Sequence, residues 1–254
     1  MELEHLLILV AAGVAAGTYL ASLRLGYYGT VKYLTRLLGQ QYGFVRSVYE
    51  ITYEIQADGS ANINYRERFK VINGELSGVE HYTTIATSPT DMKERFKVDA
   101  AVGQAKGQEI EILPKLILNA PNHLYYQLLF SPPLKRGLEL EYTYKVQCPP
   151  KTFVRSSEEL SERSLPFDYV SIEVAYPTEA LVLKLIFFDN PVEIEYDVWM
   201  GDARLRLKKE FRRLDEIGAK TIERGSDQHL FAQLKVEYPV LGLQYALTWK
   251  PTSK

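Results

Sequence analysis

The chain has 254 residues, of which 46% are hydrophobic and 24% are charged, and its formal net charge is −2. A net charge so close to zero provides no global field that would draw the protein to nucleic acid or to anionic lipid. The length allows two modest domains, and the single cysteine, Cys148, excludes an intrachain disulfide.

The first predicted element is a membrane-spanning helix. Residues 6–23 read LLILVAAGVAAGTYLASL and contain no Asp, Glu, Lys, Arg or His. A single span needs roughly 20 apolar residues, with about 17 as the lower limit, so residues 1–23 are interpreted as a transmembrane helix. A cleaved signal peptide or a buried soluble helix is the alternative, although the leader MELEH lacks the positive charge that begins a signal peptide.

The basic residues after this span predict its orientation. Arg24, Lys32, Arg36 and Arg46 follow it, and the first acidic residue comes only at Glu50. Lys and Arg close to a span stay in the cytoplasm. We therefore expect a single-pass membrane protein with its C-terminal part in the cytoplasm and the lipid bilayer as its first partner.

Small residues within the span predict self-association. Gly13, Gly17 and Ala21 recur at four-residue spacing. Such a face lets two helix backbones approach closely, as in G-x-x-x-G packing. We expect a homo-oligomer that assembles through this helix, although Gly and Ala are also common in membrane helices that do not associate.

The next segment, residues 24–46, is predicted to be an amphipathic juxtamembrane helix. Its apolar positions fall at helical spacing: they are Val31, Leu34, Leu37, Leu38 and Tyr42. The segment can be an interfacial helix with snorkelling basic residues. It can equally be a stalk packed against the body that follows, and the sequence leaves both open.

A β-hairpin opens the body of the protein. Apolar and polar residues alternate from Tyr49 to Ile55, as in a half-buried strand. A two-residue turn at Asp58-Gly59 would mix the two faces. A three-residue loop with Gly59 in the left-handed position instead places Ile55 opposite Ala61 and keeps one face apolar, so we predict this hairpin, with a bulge.

The remaining chain is predicted to be rich in strands, with glycine and proline between them. Such spacing is typical of β-sandwiches. The predicted strands lie at 80–86, 95–102, 108–118, 123–131, 137–147, 169–176, 181–188, 192–199, 203–213, 228–237 and 242–249.

An internal repeat predicts how these strands are organised. Residues 123–145 and 229–250 share His-Leu-x-x-Gln-Leu, then Pro, then Gly-Leu, then Thr-aromatic-Lys. Their offset of about 105 residues matches the size of an immunoglobulin-like sandwich. We interpret each copy as the last hairpin of one of two related domains, although two amphipathic hairpins can also resemble each other by chance.

The predicted fold class is therefore mainly β, with two tandem immunoglobulin-like sandwiches after the two N-terminal segments. The first sandwich covers 47–149 and the second 165–254. A polar linker at 150–164 joins them and is expected to hold a short helix capped by Ser156 or Ser157.

The sequence shows no pattern typical of catalysis, and we predict that the chain is not an enzyme. Its four histidines, His5, His81, His123 and His229, have no spacing that resembles a zinc site. Cys148 could act only with a nearby base such as His123, and buried or incidental thiols are far commoner. We predict no metal and no cofactor.

One basic stretch, residues 202–225, is a candidate ligand site. Alternation with Leu205 and Leu207 places its first charges on one strand face. An anionic small ligand could bind there, or the charges could simply protect an edge strand from aggregation. Interleaved acidic residues disfavour nucleic acid. The candidate residues are Arg204, Arg206, Lys208, Lys209, Arg212 and Arg213.

These observations give two hypotheses of function. The first is a membrane-anchored, non-enzymatic binding protein that oligomerises through its helix and binds a ligand or protein partner with its cytoplasmic head. This layout resembles membrane effectors of bacterial defence systems in architecture alone, which implies an effector role. The second is an envelope scaffold protein whose sandwiches face outward and bind proteins.

Overall fold

The structure is a computed structural model. It describes residues 29–85, 97–99, 102–105, 107–120, 123–188, 192–200, 205–206, 218–224 and 230–251. The predicted span at 6–23, with its packing residues Gly13, Gly17 and Ala21, lies outside these residues.

The described chain is mainly β, as predicted, with two helices and fifteen strands. Helix α1 occupies residues 29–42, and α2 is Ser157–Glu162. The strands are β1 Phe44–Ile55, β2 Ala61–Val71, β3 Glu75–Ile85, β4 Lys97–Asp99, β5 Val102–Ala105, β6 Gln108–Ala120, β7 His123–Lys135, β8 Glu139–Cys148, β9 Asp168–Glu173, β10 Ala180–Phe187, β11 Val192–Met200, β12 Leu205–Arg206, β13 Gly218–Arg224, β14 Leu230–Glu237 and β15 Leu243–Pro251.

The strands form one hydrogen-bonded network. Its order is β12-β11-β15-β9-β3-β7-β6-β5-β8-β2-β1-β10-β14-β13, with β4 paired to β8. The network folds back on itself, so that β3 and β7 on one side face β2 and β8 on the other. The Tyr126 hydroxyl of β7, for example, lies 3.0 Å from the Tyr144 hydroxyl of β8.

The first hairpin has the predicted register. Ile55 pairs with Ala61, Tyr53 with Ile63 and Ile51 with Tyr65. The loop contains three residues and ends at Gly59, whose φ of +73° is in the left-handed region. The apolar alternation was therefore sufficient to predict both the loop length and the buried face of the hairpin.

The internal repeat is present in the structure, but its interpretation as two hairpins is wrong. β7 pairs with β3 and β6, whereas β8 pairs with β2, β4 and β5. β14 and β15 likewise pair with different strands, β14 with β10 and β13, and β15 with β9 and β11. Each copy is an arch that carries the chain from one set of strands to another.

The two arches are built in the same way. In the first, the N–H of Gly137 donates to the carbonyl of Val71 at 2.9 Å. In the second, the N–H of Gly242 donates to the carbonyl of Val174 at 2.9 Å. Both glycines have a φ of +81°, a conformation that glycine adopts without steric cost.

The predicted boundary between two sandwich domains stays a prediction. Strands from the two predicted ranges pair directly, since β1 runs parallel to β10 from Tyr49–Leu181 to Ile55–Phe187. One hydrophobic core also contains residues of both ranges, such as Ile63 and Trp249. The linker helix is confirmed: Ser156 caps α2 and forms a capping box with Glu159.

Helix α1 packs on the β body with one side and is exposed on the other. A Cβ added at Gly39 would lie 2.2 Å from Cγ2 of Val45, so the helix closely approaches β1. Tyr33 and Leu37 are 61% and 49% exposed. No helix in the described ranges is long and apolar enough to cross a bilayer.

Candidate functional site

The candidate site begins with a carboxylate inside the core. Inward-facing residues alternate along β2, and Glu67 takes an inward position between Tyr65 and Phe69. It is 0% exposed. Burying a charge costs free energy unless it is paired and hydrogen-bonded, so its partners define the site.

The first partner is Arg46, which a β-bulge turns inward. The register of β1 against β2 shifts between Arg46 and Val48. Residues 44–46 are all buried before the bulge, and only the odd-numbered residues from Tyr49 to Ile55 are buried after it. Arg46 is 2% exposed. Arg46, one of the four basic residues counted in the predicted cytoplasmic flank, therefore lies in the core.

Arg46 and Glu67 form a buried ion pair. Nε of Arg46 lies 3.0 Å from Oε2 of Glu67, without the angles of a hydrogen bond. The Arg46 guanidinium also lies over the Tyr49 ring, with Cζ 3.9 Å from the ring centroid, and 5.1 Å from the Tyr176 centroid. The ion pair and the contacts with the aromatic faces both offset the free-energy cost of desolvating the Arg46 guanidinium.

His81 and Tyr144 complete what we call the polar cluster, which is Arg46, Glu67, His81, Tyr126 and Tyr144. Nε2 of His81 lies 3.2 Å from Oε1 of Glu67, and Nδ1 lies 3.1 Å from the Tyr144 hydroxyl. The Tyr144 hydroxyl accepts a hydrogen bond from Tyr126 at 3.0 Å and donates to Oε1 of Glu67 at 3.3 Å.

Burial controls protonation in this cluster. Desolvation raises the pKa of Glu67 to about 7, against the opposing effects of Arg46 and of hydrogen bonds from Tyr144 and Tyr142. Desolvation, together with Arg46, holds the pKa of His81 well below its usual value. Near neutral pH the imidazole is therefore neutral, while the carboxyl group is close to its titration midpoint.

A pocket of about 190 Å³ opens above this cluster, and we call it the Arg46 pocket. Arg46 and His81 lie at its floor. Its walls come from β1, β3, β7, the end of β9 and the loop that follows β9. The wall residues are Tyr49, Glu80, Tyr125, Glu173, Ala175 and Tyr176.

A larger depression of about 500 Å³ lies on the outer face of β1, β2 and β8. It is shallow, and two of the charged side chains that line it, Glu50 and Arg66, are already engaged in ion pairs. Glu50 pairs with Lys184 and Arg66, and Arg66 also pairs with Glu141 at 2.8 Å. The smaller Arg46 pocket is the better candidate because it joins a buried charged cluster to the surface.

The predicted basic site is described only in part. Arg206 belongs to β12, whose backbone pairs with β11 at Trp199. β12 is the last strand at one end of the described network, a position that suits the edge-strand alternative. The other predicted residues lie outside the described residues, so a ligand at this stretch stays a prediction; they are Arg204, Lys208, Lys209, Arg212 and Arg213.

Cys148 does not have the environment of a nucleophile. It is buried at the end of β8, and desolvation raises the pKa of its thiol, whereas a reactive cysteine needs a lowered pKa. Within the described part of the chain, no group of three His, Cys, Asp or Glu side chains is placed to hold a metal ion.

The sequence analysis missed the polar cluster, although one signal was available. Apolar residues occupy alternate positions of β2 from Ala61 to Val71, and only Glu67 interrupts them. A lone carboxylate at a core-facing position of a strand predicts a buried partner. The identity of that partner depends on the bulge in β1, which no local pattern indicates.

Comparison with known proteins shows a shared fold. No protein-family model and no curated protein matches the chain. The structure of a putative protease from Parabacteroides distasonis matches with a TM-score of 0.50 and 8% identity, over 82% of this chain and 40% of that one. An M1 zinc metallopeptidase from Deinococcus radiodurans matches with a TM-score of 0.40 and 11% identity, over 81% and 42%.

One of these matches corrects an expectation. We predicted that the chain is not an enzyme, and this prediction is contradicted by the matched structure that is described as a putative protease. At 8% identity the first match shows the fold alone. The chain spans about two fifths of the length of these proteins.

Proposed function

We propose that this is a membrane-anchored binding protein whose β body takes up a small ligand in the Arg46 pocket. The observation that carries the proposal is the buried Arg46–Glu67 pair at the pocket floor. Buried ion pairs are weak sources of stability, and titratable groups with perturbed pKa values cluster at functional sites. A pocket placed directly over such a pair is the default binding site.

The exposed face of α1 supports the membrane part of the proposal. Four large hydrophobic residues are exposed in the described part of the chain, and two of them, Tyr33 and Leu37, lie one turn apart on the same face of α1. This helix follows the apolar run at 6–23. Tyrosine rings favour the headgroup level of a bilayer, so we propose that this face lies on the membrane surface.

Three finer points belong to the same proposal. Association through Gly13, Gly17 and Ala21 would make the protein an oligomer, and the basic flank would keep the β body in the cytoplasm, where an effector of a defence or signalling system would act. The repeated arches support two related immunoglobulin-like halves. The alternative remains an envelope scaffold with an outward-facing body.

The binding role is tested by filling the pocket. Ala175 is an exposed wall residue, so Ala175→Trp should close the pocket without disturbing the core. Lys115→Trp on the exposed side of β6 is the matched control. Thermal shift of the full-length protein in detergent against a panel of small metabolites should give hits that Ala175→Trp loses and Lys115→Trp keeps. Hits that survive in Ala175→Trp would place binding elsewhere.

The membrane role needs separate experiments. We expect the full-length protein to remain in the membrane fraction after alkaline carbonate washing, and a topology reporter fused to its C-terminus should report the cytoplasm. Gly13→Leu with Gly17→Leu should reduce the mass of the detergent-solubilised oligomer. Release by carbonate would contradict the anchor, and a reporter outside the cytoplasm would favour the scaffold.

A second candidate comes from the fold match to a putative protease over 82% of this chain. We propose as the alternative that the β body contributes to peptide hydrolysis. Fluorogenic peptides incubated with the full-length protein test this directly. Turnover that Ala175→Trp abolishes would assign the Arg46 pocket to it, and no turnover by the wild-type protein would remove this candidate.

A further inference from the structure

The Arg46 pocket carries two carboxylates in its walls. Glu80 lies on β3 and Glu173 at the end of β9, and both residues are exposed. β3 and β9 are hydrogen-bonded neighbours, with Thr84 opposite Ser171. The two acidic side chains therefore line one opening from adjacent strands.

The positive groups at the floor do not offset these carboxylates. The charge of Arg46 is already paired with Glu67, and its guanidinium packs on the Tyr49 ring. His81 is neutral near pH 7 because desolvation and Arg46 lower its pKa. The two wall carboxylates outnumber the single cation Arg46 when Glu67 is protonated, and the excess of negative charge grows when Glu67 is ionised, so the pocket and its floor carry a net negative charge in both states.

Tyrosine hydroxyls hold Glu80 in place. The Tyr125 hydroxyl hydrogen-bonds to the Glu80 carboxylate, which raises the pKa of Tyr125 to about 12. The phenol therefore keeps its proton at neutral pH and stays a donor to the carboxylate. The Tyr176 hydroxyl accepts a hydrogen bond from the backbone N–H of Glu80 at 3.1 Å. The position of this carboxylate is thus set before any ligand arrives, which reduces the entropy cost of binding.

The walls also provide an apolar surface. Tyr125 and Tyr176 line the opening, and the buried Tyr49 ring lies deeper, against the Arg46 guanidinium. A cavity of about 150 Å³ is large enough for benzene, so the 190 Å³ of this pocket accepts one substituted ring. Aromatic walls with carboxylates suit an organic cation, which gains from both charge attraction and contact with aromatic faces.

We infer that the Arg46 pocket binds a small primary amine, with its ammonium group between Glu80 and Glu173 and its apolar part against the tyrosine rings. This inference rests on the proposed function, because it specifies the ligand class of the same pocket. An anion is disfavoured because it would meet both wall carboxylates, and a neutral ring would leave them without a counter-charge.

Three probes of similar shape and different charge test the inference: benzylammonium, benzyl alcohol and benzoate. Calorimetric titration uses the full-length protein in detergent at neutral pH. Benzylammonium should bind most tightly. Glu80→Gln with Glu173→Gln should weaken its binding at least about tenfold, because the two substitutions remove both negative charges at contact distance from the ammonium group.

The matched control is Glu75→Gln, an exposed carboxylate on the same strand as Glu80 but outside the pocket. It should leave benzylammonium binding unchanged. Tighter binding of benzoate or benzyl alcohol, lost in Ala175→Trp, would overturn the amine assignment and keep the binding role. Absence of binding by all three probes at millimolar concentration would overturn the amine assignment, and the binding role would fall with it if the metabolite panel also gave no hit that Ala175→Trp loses.

Discussion

Protonation of Glu67 gives the sharpest test of the buried cluster. The carboxyl group is 0% exposed, and desolvation raises its pKa from 4.5 to about 7 despite the nearby Arg46. Each pKa unit corresponds to about 1.4 kcal/mol. The shift therefore means that ionising Glu67 costs about 3 kcal/mol more free energy in the folded protein than in the unfolded chain.

The sign follows from which state binds the proton more tightly. Between pH 4.5 and about 7 the folded protein holds a proton on Glu67 that the unfolded chain has released. The contribution of Glu67 to the free energy of unfolding consequently falls as pH rises through this window. At pH 8 the protein has lost the full 3 kcal/mol or so, because the carboxylate is then ionised in both states.

Glu67→Gln removes this titration while keeping the shape of the side chain. We expect its free energy of unfolding, relative to that of the wild type, to increase by about 3 kcal/mol from pH 4.5 to pH 8. Urea unfolding of the full-length protein in detergent, followed by tryptophan fluorescence at several pH values, measures this difference. Glu111→Gln, an exposed carboxylate on β6, controls for the amide substitution.

Two outcomes would contradict the reasoning. A difference that stays constant between pH 5 and pH 8 would mean that Glu67 is ionised throughout, so that the attraction of Arg46 outweighs desolvation. A difference that changes in the opposite direction would mean that the ionised pair stabilises the fold. Either result would remove the link between burial of the carboxylate and its pKa.

Three further predictions concern local structure. Gly59→Ala should lower the melting temperature much more than Gly74→Ala: both glycines have a left-handed φ, but a Cβ at Gly59 would lie 2.3 Å from the carbonyl oxygen of Phe153, whereas nothing lies within 4 Å at Gly74. The Cys148 thiol should react with Ellman's reagent far more slowly in the folded protein than in urea, because it is buried and its pKa is raised; equal rates would contradict its burial. Ser156→Ala should cost about 1 kcal/mol in urea unfolding by removing the cap of α2, and an unchanged midpoint would mean that the cap adds nothing.

Local alternation was enough to predict the first hairpin. The polar residues of β1 and β2 occupy outward positions around the loop, so only one register places Ile55, Ala61 and their neighbours on the same face. The same rule, continued to Glu67, points to a buried carboxylate. Features that depend only on the periodicity of apolar residues and on turn residues can therefore be predicted from a short stretch of sequence.

The arches show where prediction from local sequence patterns fails. Gly137 and Gly242 provide the left-handed conformation expected of a turn. Their hydrogen bonds, however, go to Val71 and Val174, which are distant in sequence. Turn chemistry specifies that the chain bends, whereas the choice of partner strand depends on contacts that no local window contains.

The inward position of Arg46 was not predicted, for a related reason. As a basic residue after an apolar run it fits a cytoplasmic flank, and only the shift in the pairing of β1 with β2 turns it toward Glu67. The bulge is a property of two paired strands. The Arg46 pocket needs further elements, β3, β7 and β9, which the sequence alone does not bring together.

The parallel pairing of β1 with β10 has a consequence for synthesis on the ribosome. β1 ends at Ile55, but β10 begins only at Ala180. At about 5–20 residues per second, the translating chain waits on the order of ten seconds before β10 emerges. During that time one backbone edge of β1 has no native neighbour, and an open edge invites pairing with other chains. We expect nascent chains stalled before β10 to be the aggregation-prone species and to recruit chaperones until the strand arrives.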